Sequence, residues 1–340
     1  MRAVAYRTPL PVTDPGCLAD ITVPDPEPTG RDLLVEVRAV SVNPVDTKVR
    51  RSGPTPDGGW RILGWDAAGV VRATGAEVSL FAPGDEVWYA GDLTRPGTDA
   101  QLHLVDERIV AHKPRSLGFT PAAALPLTSI TAWELLFDRL GVERSGDGGA
   151  GDALLVIGAA GGVGSILTQL ARRLTGLTVV GTASRPQTRD WVGDLGAHHV
   201  VDHSRPLAEQ LRALDLPQVR YVAGLTHSGE HFDQIADVLA PQGRFGLIDD
   251  PAPGSIDLNR LKRKSASVHW EFMFTRSMFA TPDMVAQHHL LTEVARLVDA
   301  GMLRSTVADD LGPINAANLI RAHATLESGR ALGKLVLTGF

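Results

Sequence analysis

Residues 152–164 read DALLVIGAAGGVG, and the rest of the chain is arranged around them. Ala153 to Ile157 form a short, wholly apolar run, the composition of a strand buried on both faces of a parallel sheet. The turn Gly158-Ala159-Ala160-Gly161-Gly162-Val163-Gly164 follows at once. Ser165 to Leu174, SILTQLARRL, then places Ile166, Leu167, Leu170 and Leu174 at helical spacing. Strand, glycine-rich turn and helix N-terminus together make a phosphate cradle. Glycines let the backbone approach a pyrophosphate, and unpaired N–H groups with the helix dipole favour its charge. A glycine cluster alone would be read as tight turns; these flanks predict a dinucleotide site.

Composition limits the rest. A chain of 340 residues is long for one core, so two domains are expected. The apolar content and a formal charge of -6 describe a globular protein with no electrostatic case for nucleic acid or membrane binding. Met1 leads straight into strand-like AVAY, without the basic and apolar regions of a signal peptide, and no apolar run approaches the ~20 residues that span a bilayer. The single cysteine, Cys17, excludes an intrachain disulfide and a cysteine-rich zinc lobe. A cytoplasmic protein is the expectation.

Residues 1 to about 125 read as an all-β unit, with strands over 33–40 (LLVEVRAV), 68–73 (AGVVRA), 86–90 (EVWYA) and 101–105 (QLHLV). Turns are expected at 24–30, 53–59, 82–85 and 95–97. Pro121 to Leu140 switches to helical period with Pro126 interrupting it, and 141–151 has the composition of a flexible loop. From Asp152 strands and helices alternate. Strands are expected at 177–183, 199–202, 219–225, 243–248 and 266–272, with helices through 189–195, 207–214 and 230–239. Repeated β-α units of this length imply a doubly wound parallel sheet. Helices over 283–300 and 316–327 and a strand over 334–338 close the chain.

An NAD site usually places Asp or Glu at the end of the second strand to bind the ribose diol. Thr178 to Gln187 contain no acid. Ser184 and Arg185 stand there instead, with Arg189 one helical turn on. A hydroxyl and a guanidinium suit a 2′-phosphate, so NADPH is preferred over NADH. The plainer reading of Arg185 is a solvated arginine at a helix start.

Several stretches carry a family resemblance: 41–47 (SVNPVDT), 63–71 (LGWDAAGVV), 83–87 (PGDEV), 122–133 (AAALPLTSITAW), 158–164 and 333–337 (GKLVL). With the order of the units, they resemble the medium-chain dehydrogenase/reductase superfamily. The match is to its quinone-oxidoreductase branch, and within it to zinc-type alcohol dehydrogenase-like proteins. That branch has the AAxGGVG form of the turn, which accounts for Ala159. The resemblance implies an α/β protein with a GroES-like catalytic domain (1–126), a Rossmann NADP-binding domain (127–272) and a C-terminal return to the catalytic domain (273–340).

Zinc enzymes of the superfamily surround the metal with Cys, His and Cys, and place an acid beside the His. The resemblance aligns Asn43, Trp65 and Thr128 with those ligands, and Asp66 with the acid. That set lacks the thiolate and imidazole donors a zinc site needs, so no metal is expected. The proton-relay hydroxyl is replaced by Val45. Without Lewis acid and relay, alcohol oxidation is disfavoured. A quinone, or an alkene conjugated to a carbonyl, is already electrophilic and chiefly needs a hydride donor held in line, with the proton coming from water.

The resemblance also assigns roles. The backbone of Gly161, Gly162, Val163 and Gly164 holds the pyrophosphate, while Ser184 and Arg185 hold the 2′-phosphate. His203 lies near the adenosine part, the alternative being a surface histidine. Leu225 and Ile248 line the ribose–nicotinamide channel, unless they are simply core. Asn43 and Thr128 face the nicotinamide from the vacated metal site and offer hydrogen bonds. Asp46 is a catalytic candidate whose structural alternative is a helix cap. Lys334 reaches the cofactor, or is only a strand-edge lysine. Trp65 and Phe274 wall an acceptor pocket, or simply pack. The pairs His198-His199 and His288-His289 diverge from their backbones and chelate poorly. Arg260 to Lys264, RLKRK, reads as a solvated loop in an acidic chain.

The expected function is zinc-independent, NADPH-dependent reduction of a quinone or an activated alkene or carbonyl by a homodimer. The rivals are a zinc-type alcohol dehydrogenase and a non-catalytic NADPH-binding sensor or nucleic-acid binder.

Overall fold

The structure, a computed structural model, describes residues 1–55 and 58–340. Pro56 and Asp57, inside the expected turn at 53–59, lie outside the described residues. The chain forms two compact units, Met1–Ile130 with Phe274–Phe340, and Thr131–Met273. The expected crossings, after 126 and 272, fall slightly before these.

The first unit runs through β1 (Arg2–Tyr6), β2 (Ala19–Thr22), β3 (Asp32–Val42), α1 (Pro44–Ser52), β4 (Arg61–Ile62), β5 (Ala67–Thr74), β6 (Glu86–Tyr89), β7 (Leu102–Asp106) and β8 (Val110–His112). Helices α2 (Phe119–Ala123) and α3 (Pro126–Trp133) follow. Pro126 opens α3, where its missing N–H costs nothing, rather than interrupting one helix. A π-helical turn over Glu134–Arg139 continues from it, with no signature in the residue pattern.

The second unit holds β9 (Ala153–Ile157), α4 (Gly162–Leu174), β10 (Thr178–Thr182), α5 (Pro186–Asp194), β11 (His199–Val201), α6 (Leu207–Arg212), β12 (Val219–Gly224), α7 (Ser228–Val238), β13 (Leu239–Leu247), α8 (Asn259–Lys262) and β14 (Ser267–Trp270). The return to the first unit carries α9 (Thr275–Met278), α10 (Ala286–Asp299), β15 (Val307–Asp310), α11 (Ala316–Glu327) and β16 (Lys334–Thr338).

In the second unit all six strands are parallel, in the order β11-β10-β9-β12-β13-β14. The order reverses between β9 and β12, and in such sheets ligands sit outside the strand carboxyl ends at that point. All five residues of β9 are buried, as its apolar run requires. Leu155, Val222, Phe232 and Phe245 share the core around it.

In the first unit β16 lies between β15 and β3, so the last strand completes a sheet begun near the N-terminus. The short strands β2, β4, β8 and β15 were not legible, because two to four residues carry no usable alternation. Among the described residues no helix is long and apolar enough to cross a membrane.

Candidate active site

The antiparallel register of β16 on β3 decides which side chains meet in the first unit. Leu335 pairs with Val42 and Val336 with Ser41, which brings Lys334 opposite Asn43. The Lys334 ammonium is buried, and it donates to Val42 O at 2.9 Å, to Asn43 Oδ1 and to Asp66 Oδ2 at 3.2 Å. Asp66, just ahead of β5, is fully buried. Its Oδ2 also accepts from Ser41 Oγ at 2.7 Å and from Asn43 Nδ2 at 3.2 Å. Its Oδ1 accepts from Leu127 N at 3.2 Å, one residue before Thr128. One carboxylate thus ties together the ends of β3 and β16 and the start of α3. Burial pushes the Asp66 carboxyl up and the Lys334 ammonium down, and the attraction between them opposes both. Buried charges persist when paired and hydrogen-bonded in this way.

Asn43 and Thr128 are both buried beside this network. The Asn43 amide donates to Asp66 Oδ2 and, at 3.4 Å, to Ser41 O. The Thr128 hydroxyl donates to Leu125 O at 3.1 Å. Their hydrogens are engaged within the unit, so acceptor lone pairs are what these side chains have left to offer. Asp46 Oδ2 accepts from Asn43 N at 2.5 Å, the helix-capping alternative. Its Oδ1 is buried and has no hydrogen-bond partner. Burial pushes this carboxyl up to about 7, with the Asn43 N–H and the Lys334 charge pulling the other way. Trp65 is buried, donates Nε1–H to Asp92 O at 3.0 Å and meets Phe274 edge-on at 6.3 Å. Lys334, expected at the cofactor or on a strand edge, has its three N–H donors engaged by Val42, Asn43 and Asp66 instead.

The second unit supplies the phosphate cradle. Gly158 has φ +84°, and a Cβ there would lie 2.8 Å from Thr226 Cγ2. A Cβ on Gly164 would lie 2.5 Å from Gly158 O and 2.6 Å from Ala159 Cα, so α4 packs against the turn only with glycine at that position. Gly162, Val163 and Gly164 open α4, where N–H groups have no preceding helical turn to bond. These residues fit a dinucleotide pyrophosphate. Ser184 and Arg185 are exposed past the end of β10. Arg189 does not join them: its guanidinium donates to Ala183 O at 3.3 Å and Val200 O at 2.9 Å, fastening β10 to β11. Leu225 and Ile248 are half-buried directly after β12 and β13. His203 is half-buried two residues after β11.

Other candidates resolve into structure. His198 Nδ1 accepts from Val179 N at 2.9 Å, and His288 Nδ1 lies 2.7 Å from Val110 O. Within RLKRK, Arg260 pairs with Asp233 and Asp237, and Lys264 donates to three carbonyls of Ala236, Asp237 and Leu239. Ser41 and the hub role of Asp66 were missed; only the strand register, which joins residues nearly 300 positions apart, reveals them.

Comparison with known proteins bears on this arrangement. Residues 29–115 match the alcohol dehydrogenase GroES-like domain and residues 195–337 the zinc-binding dehydrogenase family. The chain is 37% identical over 341 residues to a zinc-type alcohol dehydrogenase-like protein of Staphylococcus aureus, covering 99% of each. A solved Rhizobium etli structure, provisionally described as a zinc-dependent alcohol dehydrogenase, is 58% identical and superposes with a TM-score of 0.96 over 100% of this chain and 98% of that one. Escherichia coli quinone oxidoreductase, solved with NADPH, is 26% identical with a TM-score of 0.83 over 99% and 100%. The chain belongs to the medium-chain dehydrogenase/reductase superfamily. It is an oxidoreductase of that superfamily with a GroES-like domain and a Rossmann domain.

The zinc of the family description does not fit the residues present. Trp65 offers only a donor, already bound to Asp92 O. Asn43 and Thr128 are neutral oxygen donors, and Asp66 Oδ2 already receives three donors. Among the described residues no group of three or more His, Cys, Asp or Glu is placed to hold a metal.

Two outcomes follow. Lys334→Met leaves Asp66 a buried carboxylate without its cation and should cost about 3–5 kcal/mol. Adding Asp66→Asn should recover part of that loss; a urea-unfolding double-mutant cycle measures it, and strictly additive losses would refute a coupled pair. Asp46 should make stability pH-dependent. Because its folded pKa of about 7 exceeds the usual 3.8, its contribution is fully present below about pH 4 and lost as pH rises through 7. Asp46→Asn keeps an acceptor for the Asn43 N–H, so its Tm should fall less than wild type between those values; parallel Tm curves would contradict this.

Proposed function

We propose that this oxidoreductase is a zinc-independent, NADPH-dependent reductase of quinones or of activated alkenes and carbonyls. The observation that carries the reading is the engaged state of the first unit's polar atoms. Lys334, Ser41 and Asn43 occupy Asp66 Oδ2 and Leu127 N its Oδ1, and Asn43, Trp65 and Thr128 offer neither thiolate nor imidazole, which supports a corner without a Lewis acid to generate an alkoxide. Bound NADPH supplies a hydride. An acceptor that is electrophilic unaided needs little more than orientation and exclusion of side reactions. Escherichia coli quinone oxidoreductase, of the same superfamily and solved with NADPH, supports both cofactor and acceptor class.

In this reading each residue has a role that the geometry supports. Gly161, Gly162, Val163 and Gly164 hold the pyrophosphate against the open end of α4. Ser184 and Arg185 bind the 2′-phosphate, and His203 the adenosine side. Leu225 and Ile248 form apolar walls for ribose and nicotinamide. Asn43 and Thr128 present acceptor lone pairs, which suit the N–H groups of a carboxamide better than the oxygen of the acceptor. Their positions are set by Asp66 and Lys334, which act as positioning residues. Asp46 fixes the Asn43 backbone and thereby the same corner. Water supplies the final proton.

The test is NADPH consumption by the purified chain with a panel of quinones and enones, in the presence of a metal chelator. Turnover that survives the chelator is expected. Tight NADPH binding with no acceptor reduced would overturn the reductase reading, and turnover abolished by the chelator and restored by zinc would overturn zinc independence.

A further inference from the structure

Two carboxyl groups and one guanidinium are packed together inside the Rossmann unit, and the function proposed above uses none of them. Glu134 opens the π-helical turn, Arg139 closes it, and Glu271 directly follows β14. Both glutamates are buried. Arg139 Nε donates to Glu271 Oε2 at 2.9 Å, and its Nη2 lies 3.7 Å from Glu134 Oε2. Residues five apart diverge on an α-helix. The wider turn, closed by Leu140 N on Leu135 O at 2.9 Å, brings Glu134 and Arg139 round to one side. Such turns recur at functional sites.

Charge decides what the cluster holds. One guanidinium balances one carboxylate, so with both carboxyls ionised the cluster carries an uncompensated buried negative charge. Taking up one proton makes it neutral, and carboxyls coupled this closely titrate as a pair. Burial and the Glu134 charge push the Glu271 carboxyl up to about 9, with Arg139 opposing them. The other charged groups on the elements packed here have their own places. Asp138 on the turn and Asp250 beyond β13 are exposed. Arg244 of β13 donates to Leu140 O at 2.7 Å, and His269 Nε2 of β14 lies 2.8 Å from Ser267 Oγ. Asp249 Oδ2 accepts from Ser228 N at 2.8 Å.

Backbone contacts show what the cluster fixes. Glu271 N donates to Leu247 O at 3.0 Å. The next residue is Ile248, whose N donates to Gly224 O at 3.2 Å. The π-helical turn also presses on β13, where a Cβ on Gly246 would run into Leu135 Cδ1. The cluster therefore pins the ends of β13 and β14 to the turn, at the carboxyl edge where sheets of this kind bind ligands. Resting on the NADPH reading above, in which Ile248 walls ribose and nicotinamide, we propose that Glu134, Arg139 and Glu271 are positioning residues: a proton shared by the two carboxyls holds that wall in place. Loss of the proton sets the carboxylates against each other and loosens the strand ends. The nicotinamide end of the cofactor then loses affinity and the adenosine end does not.

Calorimetric titration of the full chain with NADPH, and with adenosine 2′,5′-bisphosphate, which lacks the nicotinamide end, tests this from about pH 7 to about pH 10. NADPH affinity should hold to about pH 8 and then fall by up to about tenfold per pH unit, with proton uptake on binding seen in buffers of different ionisation enthalpy. The bisphosphate should bind equally well throughout, which also shows that the chain stays folded. Glu271→Gln and Glu134→Gln each leave one carboxylate for Arg139 and nothing to share, so each should abolish the alkaline fall. Glu271→Ala, which removes the link to Arg139, should weaken NADPH several-fold already at pH 7 and leave the bisphosphate unchanged. A wild-type NADPH affinity that stays flat to about pH 10 would overturn the proposal, as would a fall undiminished in both glutamine variants. An equal fall for the bisphosphate would move the linkage away from the nicotinamide end and overturn it too. Binding of neither ligand at neutral pH would instead refute the NADPH reading itself.

Discussion

The buried ion pair between Lys334 and Asp66 is the constraint on which the GroES-like unit depends. An ammonium and a carboxylate taken out of water are costly apart and tolerable only together, with their remaining donors and acceptors filled. Here the filling is complete for Lys334, whose three hydrogens meet Val42, Asn43 and Asp66. Asp66 adds Ser41 and Leu127. Because these residues come from β3, β16 and the start of α3, the pair closes the sheet and at the same moment sets the Asn43 side chain and the helix that carries Thr128.

The Rossmann unit works by the opposite device, leaving backbone groups unfilled. Gly158 and Gly164 allow turn and helix to meet at distances no side chain permits, and the first N–H groups of α4 stay open for a phosphate. On the function proposed above, an oxidoreductase built from these two parts asks its protein for position rather than for a metal.

How much of this was legible in the sequence depends on the range of each interaction. The strand, turn and helix of 152–174 lie within one local segment, so periodicity and glycine spacing expose them directly. The same holds for the alternating elements that follow. The absence of an acid at the end of β10 is likewise local. What stayed hidden is non-local. Nothing near Lys334 signals that register will set it against Asn43, and its strand reads equally well as an edge. Arg189 stands one helical turn past Arg185, and only the fold shows that two carbonyls at the ends of β10 and β11 engage it. Asn43 and Thr128, singled out together by their likeness to vacated ligand positions, are both buried beside the Asp66 network. Where their hydrogens go was not legible, because the acceptors Asp66 and Leu125 become neighbours only on folding.

The central claim is that a lysine–aspartate pair, and no metal, organises the catalytic corner of an NADPH enzyme. Native mass spectrometry of the chain after incubation with zinc and NADPH together tests it most directly. The account predicts a mass increase of one NADPH per chain and no stoichiometric zinc. One zinc per chain, retained through buffer exchange and lost with NADPH turnover on chelation, would contradict it.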